Sequence, residues 1–290
     1  MPEVLEYSTD VIAELGYGPM PGRQQRRFGL EVEVSDWSEE DQMEANRRWY
    51  RAAVRSLSHP ALASYSNAYC IPCHDGSLDG DDTAELKTPP FTKSEHWLFH
   101  ASYSSEPPPE TLHPQEQREF LKGVSAQWFP NSRSWANCSC GMHITVELST
   151  AAKWTWRKLL IWVNEGGSEL RQKVLFLRRP NSYCDLKPCN LLTFSHGNPD
   201  KYELLHLKNG YLAEFRGFRS STNPMTIMRN IDVVDALLDW MPHVPTYDVG
   251  TVGLRHFGAW LRTQPGKYPY LRDWIVHRAA SSPLTQGFNA

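Results

Sequence analysis

The sequence predicts an α+β fold with a mainly antiparallel sheet, and three observations predict it. Segments of helical apolar periodicity are interspersed with short extended ones. The regular strand–helix–strand spacing of a parallel sheet is missing. Four of the short segments set apolar residues on one strand face and polar residues on the other, the pattern of an antiparallel sheet with one wet face.

Residues 1–27 read as an irregular lead-in, because Gly16, Gly18, Pro19, Pro21 and Gly22 break any periodicity and Arg23, Arg26 and Arg27 close it with positive charge. Phe28 to Val34 reads as a strand that sends Leu30, Val32 and Val34 one way and Glu31 and Glu33 the other. Ser38, the acidic Glu39, Glu40 and Asp41, and the later Arg47, Arg48 and Arg51 read as a capped helix whose charges suit its dipole. Ala84 to Lys87 reads as a second strand, with Glu85 set against Ala84 and Leu86. Ser104 to Pro114 reads as a loop, and Pro114 opens a helix in which Phe120, Leu121, Val124 and Trp128 recur at helical spacing. In Met142 to Leu148 the apolar face is Met142, Ile144, Val146 and Leu148, against His143, Thr145 and Glu147. Ser149 reads as the cap of a helix through Trp154, Leu160 and Val163, stopped by Gly166 and Gly167. Loops follow at Pro180 to Pro188 and His196 to Lys201. Ala213 to Arg216 reads as a strand with Glu214 and Arg216 on one face. Asn223 and Pro224 start the best helix, whose stripe is Ile227, Met228, Ile231, Val234, Leu237, Leu238 and Met241, stopped by Pro242. Residues 250–280 read as helical with interruptions, within a C-terminal extension over 246–290.

Composition bounds the function. The 290 residues carry 30 Lys and Arg against 33 Asp and Glu, a net charge of −3 that argues against a general nucleic-acid-coating role. Hydrophobic residues at 40% with 11 Trp, 12 Tyr and 11 Phe are ample for a packed core and exclude a wholly disordered chain. No apolar run approaches the ~20 residues of a membrane helix. The first ten residues lack the basic start and apolar stretch of a secretion signal, and six Cys are too dilute for a disulfide scaffold. A reduced, cytoplasmic setting is the expectation.

The four strands supply five Glu and one His against Lys87 and Arg216. Side by side, those carboxylates would repel unless a cation lay among them. Oxygen ligands favour Mg²⁺ or Mn²⁺, and imidazole is compatible with Mn²⁺. A Mg²⁺ held by few carboxylates commonly completes its shell with substrate phosphates, which points to nucleotide chemistry. No GxxxxGK[ST] or post-strand GxGxxG loop is present, so phosphates would be held by metal and by arginines. Arg178, Arg179, Arg216 and Arg219 are the candidates, since guanidinium grips phosphate through two parallel bonds.

FGLEVEV at 28–34, HDGSL at 74–78, AELKTPP at 84–90, CGMHITVE at 140–147, RRPNSYC at 178–184 and KYELLHLKNGYLAEFRGFRSSTNP at 201–224 occur in that order. The set resembles the amidoligase family of carboxylate–amine ligases, which is similar to glutamine synthetase and γ-glutamylcysteine synthetase. The resemblance covers roughly 28 to 240 and implies a catalytic domain over 28–245. It implies a curved antiparallel sheet with a concave face for ATP and Mg²⁺, and helices on the other side. The implied reaction phosphorylates a carboxylate, and an amine then attacks the acyl phosphate to give an amide.

Carried over residue by residue, the resemblance implies metal ligation by Glu31, Glu33 and Glu214, and a metal or amine-site role for Glu85. It implies contact of His143 with metal or phosphate, and stabilisation of the transferring phosphoryl group by Arg216. Asp75 and Ser77 would shape the substrate pocket. Arg178, Ser182 and Tyr183 would contact nucleotide or substrate. Three positions depart from the family pattern: Thr145 stands where a second His is usual, Lys87-Thr88-Pro89 replaces a serine before the proline, and His206 replaces an Asn.

Other readings compete. Cys70-x-x-Cys73 with Cys138-x-Cys140 offers a four-thiolate structural Zn²⁺ site, and with it a catalytically degenerate, zinc-stabilised binding module; buried free thiols are the preferred reading of these cysteines. A hydrolase using Ser182 and His196 lacks any GxSxG elbow. The acid and amine partners are small molecules or peptides, and a modified base stays among the acceptors.

Overall fold

The computed structural model describes residues 26–34, 72–73, 84–102, 104, 114–128, 140–164, 175, 203–208 and 211–281. The helix read after Ser38, the lead-in before Arg26, the interior of the loop from Ser104 to Pro114, and the loops at 180–188 and 196–201 lie outside them. So do Cys70, Asp75, Ser77, Cys138, Gly166, Gly167, Arg178, Arg179, Ser182, Tyr183 and His196. The chain divides into two compact units: Met1–Glu147 with Ser220–Pro224, and Leu148–Arg219 with Met225–Ala290.

Among the described residues, the first unit holds an antiparallel sheet and two helices. Its strands are β1 (Arg27–Val34), β2 (Pro72–Cys73), β3 (Ala84–Lys87), β4 (Phe91–Thr92) and β5 (Gly141–Glu147), and its helices are α1 (Lys93–Ala101) and α2 (Pro114–Trp128). β1 is central, with β3 and then β2 on one side and β5 on the other, while β4 pairs with the start of β1. The alternation read from sequence holds: Phe28, Leu30, Val32, Leu86, Met142, Ile144 and Val146 are each at most 1% exposed and form the core face. At ~25 cal/mol per Å², such a row is the main driving force for closing the sheet.

On the opposite face Glu33, Glu85, His143 and Thr145 are buried, while Glu31 and Lys87 are half-buried. Burying carboxylates is costly unless each meets a cation or a donor, so this face is specialised rather than merely solvated.

No element is assigned by the pattern analysis to 91–101, where the structure builds β4 and α1. The signal is a capping box: Thr92 Oγ1 accepts from Glu95 N at 3.3 Å and Glu95 Oε2 accepts from Thr92 N at 2.7 Å. α1 buries His96 and His100, one helical turn apart, with rings stacked at 6.1 Å. A His96 Nε2 to Phe28 carbonyl contact of 2.7 Å ties α1 to β1.

The second unit contains a 3₁₀ turn (Leu148–Thr150), α3 (Lys153–Asn164), the β6 (Leu205–Lys208) and β7 (Leu212–Arg219) hairpin, α4 (Pro224–Trp240), α5 (Leu254–Arg262) and α6 (Pro269–Ser281). Ser149 does not cap α3 directly. It lies in the 3₁₀ turn, which Tyr211 pins by accepting from Leu148 N at 2.8 Å, and α3 starts only at Lys153. The stripe predicted for α4 is buried throughout. Trp162, Trp240, Phe257 and Trp260 form a chain of ring contacts, and the buried Asp232 carboxylate accepts from Tyr270 N and Leu271 N at the start of α6. Among the described residues, no helix is long and apolar enough to cross a membrane.

Candidate metal centre

Strand pairing assembles the centre. Glu31 is flanked across the sheet by Lys87 on β3 and His143 on β5, and Glu33 lies opposite Glu85. Because side chains two apart share a face, all five project from the same side of the first unit's sheet. Glu31, Glu85 and His143 each offer a ligand atom, and these atoms lie within 4.8 Å of one another. Two carboxylate oxygens and one imidazole nitrogen make a mixed donor set, which is compatible with Mn²⁺.

Glu33 has a different setting from the trio. One of its carboxylate oxygens accepts a short hydrogen bond from Gly141 N, and the other lies 3.4 Å from His143 Nε2. The other ring nitrogen, His143 Nδ1, is 3.4 Å from Glu31 Oε2. Glu31 and Glu33 therefore flank the imidazole at its two nitrogens, and at Nδ1 the tautomer decides whether the ring donates to Glu31. Ser220 Oγ donates a short bond to the Glu33 carbonyl, holding the end of β1.

Lys87 supplies the balancing charge. Its ammonium is 2.8 Å from Glu85 Oε2 and 4.0 Å from Glu31 Oε1, and its side chain is 28% exposed. Glu31, Glu33 and Glu85 set three carboxylates against this one ammonium. The next residue, Thr88, is structural: its hydroxyl accepts from Leu30 N at 3.1 Å, and its own N–H donates to the Leu30 carbonyl at 2.9 Å.

In the second unit, Glu214 is 1% exposed and pairs with Arg216 Nη1 at 3.0 Å. His206 on β6 is its cross-strand neighbour. Arg219 ends β7 exposed, and strand alternation sets it on the Ala213 and Phe215 face, not on that of Glu214 and Arg216. Of the cysteines read as a zinc set, Cys140 is a buried thiol leading into β5 and Cys73 ends β2.

Lys87 and His206 were not read as site residues from sequence. Lys87 is visible in sequence two residues from Glu85, but its partner across the sheet follows only from the β1–β3 register. His206 stood out as a departure from the family pattern, without the cross-strand pairing that places it beside Glu214.

No family model matches the chain. No curated protein sequence matches it either. Among solved structures, one that is similar to this chain is the crystal structure of the complex between prokaryotic ubiquitin-like protein Pup and its ligase PafA. The identity is 10%, the TM-score is 0.39, and the match covers 91% of this chain while spanning 65% of that one.

Proposed function

We propose that the chain is an ATP- and Mg²⁺-dependent carboxylate–amine ligase. The observation that carries this reading is the convergence of Glu31, Glu85 and His143 on the buried polar face of an antiparallel sheet. The sequence motifs in order support it, and they are what point to a ligase among metal-dependent enzymes. The chemistry a bound divalent cation supplies here is charge neutralisation of ATP phosphates.

In the reaction, a carboxylate oxygen attacks the γ-phosphorus of ATP and ADP leaves. An amine nitrogen then attacks the acyl carbon, inorganic phosphate leaves, the nitrogen loses a proton, and the amide results. Glu31, Glu85 and His143 hold the cation, and Glu33 orients His143. On the resemblance, Glu214 is assigned to metal and Arg216 to the transferring phosphoryl oxygens, which its planar fork suits. Asp75 and Ser77 shape the carboxylate or amine pocket. Arg178, Arg179, Ser182 and Tyr183 are assigned to nucleotide or substrate. Substrates are an amino acid or peptide carboxylate and an amine in a cytoplasmic setting.

The test is calorimetric titration of a non-hydrolysable ATP analogue with and without Mg²⁺. Mg²⁺-dependent binding that falls at least about tenfold in Glu31→Gln and in Glu214→Gln, with folding unchanged by circular dichroism, is the expected result. Unaltered binding in both variants overturns the site assignment.

A further inference from the structure

We propose that Lys87 is a built-in counter-ion that the divalent cation must displace, so that this one side chain sets the metal affinity of the centre. The inference rests on the metal reading above and goes beyond it by giving a role to a residue that is not a ligand.

The argument begins with position. Lys87 lies two residues from Glu85 on β3 and directly across from Glu31, so its stem leaves the same face as both carboxylates. Its ammonium makes a close pair with Glu85 and a longer one with Glu31, at 2.8 and 4.0 Å. Those are two of the three groups that converge as a ligand set. A cation bound there would therefore sit within a few ångströms of a resident positive charge. In a partly buried site that repulsion is weakly screened.

The side chain can answer it. Lys has a flexible four-carbon stem and a compact ammonium with no fixed fork, and 28% of this side chain meets solvent. His143, at 3% side-chain exposure and flanked by Glu31 and Glu33, has no comparable freedom. Metal entry thus exchanges one counter-charge for another: the ammonium swings outward as the divalent cation takes the carboxylates.

A Lys87 that merely braced the sheet would give the opposite result on removal, because a loosened ligand set binds metal less well. The experiment is Mn²⁺ titration of the full chain by calorimetry, with free Mn²⁺ counted by electron paramagnetic resonance. Lys87→Gln and Lys87→Met are each expected to bind Mn²⁺ about tenfold or more tightly than wild type. Lys87→Arg, which keeps a charge at the site, stays within about twofold of wild type. Lys122→Gln on the exposed face of α2 removes the same charge elsewhere in the unit and also stays within about twofold. Equal or weaker binding in the Gln and Met variants overturns the role of Lys87 while leaving the metal reading intact. Absence of Mn²⁺ binding in wild type overturns the metal reading itself and this inference with it.

Discussion

Glu33 separates two roles that a carboxylate can have in such a centre. As a ligand that only adds negative charge, it would destabilise the metal-free protein, and its removal would relieve repulsion. As a hydrogen-bond acceptor, it holds Gly141 N, and its removal strips that buried N–H of its acceptor. The second effect is the larger, because a buried unsatisfied group costs about 1–3 kcal/mol. Glu33→Ala is therefore expected to lower the metal-free unfolding free energy by about 1–3 kcal/mol in urea titrations. Glu33→Gln should lose less, since its amide oxygen still accepts from Gly141. A Glu33→Ala variant more stable than wild type would show that repulsion dominates. Of this arrangement, the sequence alone reveals that Glu31, Glu33, Glu85 and His143 occupy alternating positions, because strand periodicity is local. It does not reveal who faces whom. That depends on the register of β1 against β3 and β5, which pairing across distant segments decides.

At the scale of elements, α1 joins the capping box of Thr92 and Glu95 to a buried histidine pair beneath β1. Burial holds His96 down at about 4, against the raising effect of its contact with the Phe28 carbonyl. Burial, with His96 nearby as the lesser cause, also holds His100 well below 6.5. Both are neutral in the folded protein at neutral pH. Unfolded, each titrates near 6.5. Below that pH the unfolded chain binds more protons than the folded one, so stability falls as pH drops from about 6.5 toward 4, and is flat above. The loss from His96 alone is of order 3 kcal/mol across that window. Urea midpoints at pH 8 and pH 5 should differ for wild type, and the difference should shrink when His96 and His100 are both replaced by Phe. An unchanged slope in that double variant would place the acid sensitivity elsewhere. Thr92-x-x-Glu95 carries the start signal of this helix, yet no element is read there from the sequence, and the two histidines look in sequence like ordinary polar positions. Only the packing of α1 under β1 makes them core. Ser149 shows the converse: a good cap residue lost its expected place because the neighbouring Leu148 backbone pairs with Tyr211.

For the whole molecule, the position of the ligands within one of two compact units has a thermodynamic consequence. Glu31, Glu85 and His143 all belong to the unit formed by Met1–Glu147 with Ser220–Pro224. A ligand that binds only the native state stabilises it by RT ln(1 + [L]/Kd), about 2.7 kcal/mol at a hundredfold excess over Kd. If the whole chain melts as one, that corresponds to about 4 °C in the melting temperature, and if the ligand-bearing unit melts by itself, to about 8 °C. Two-state melting is not assured for a chain of two units, and this makes the measurement more informative. If scanning calorimetry resolves two transitions, saturating Mn²⁺ should move the one belonging to the ligand-bearing unit and leave the other near its original temperature. If it resolves one, that single transition should rise, and the unit boundary then does not limit cooperativity. In both cases Glu85→Gln should abolish the shift, because two ligands remain where three converged, and the Lys87 ammonium then keeps only Glu31 as a full-charge partner. A metal-induced shift that persists undiminished in Glu85→Gln would mean that the stabilising cation binds at some other place than this face of the sheet.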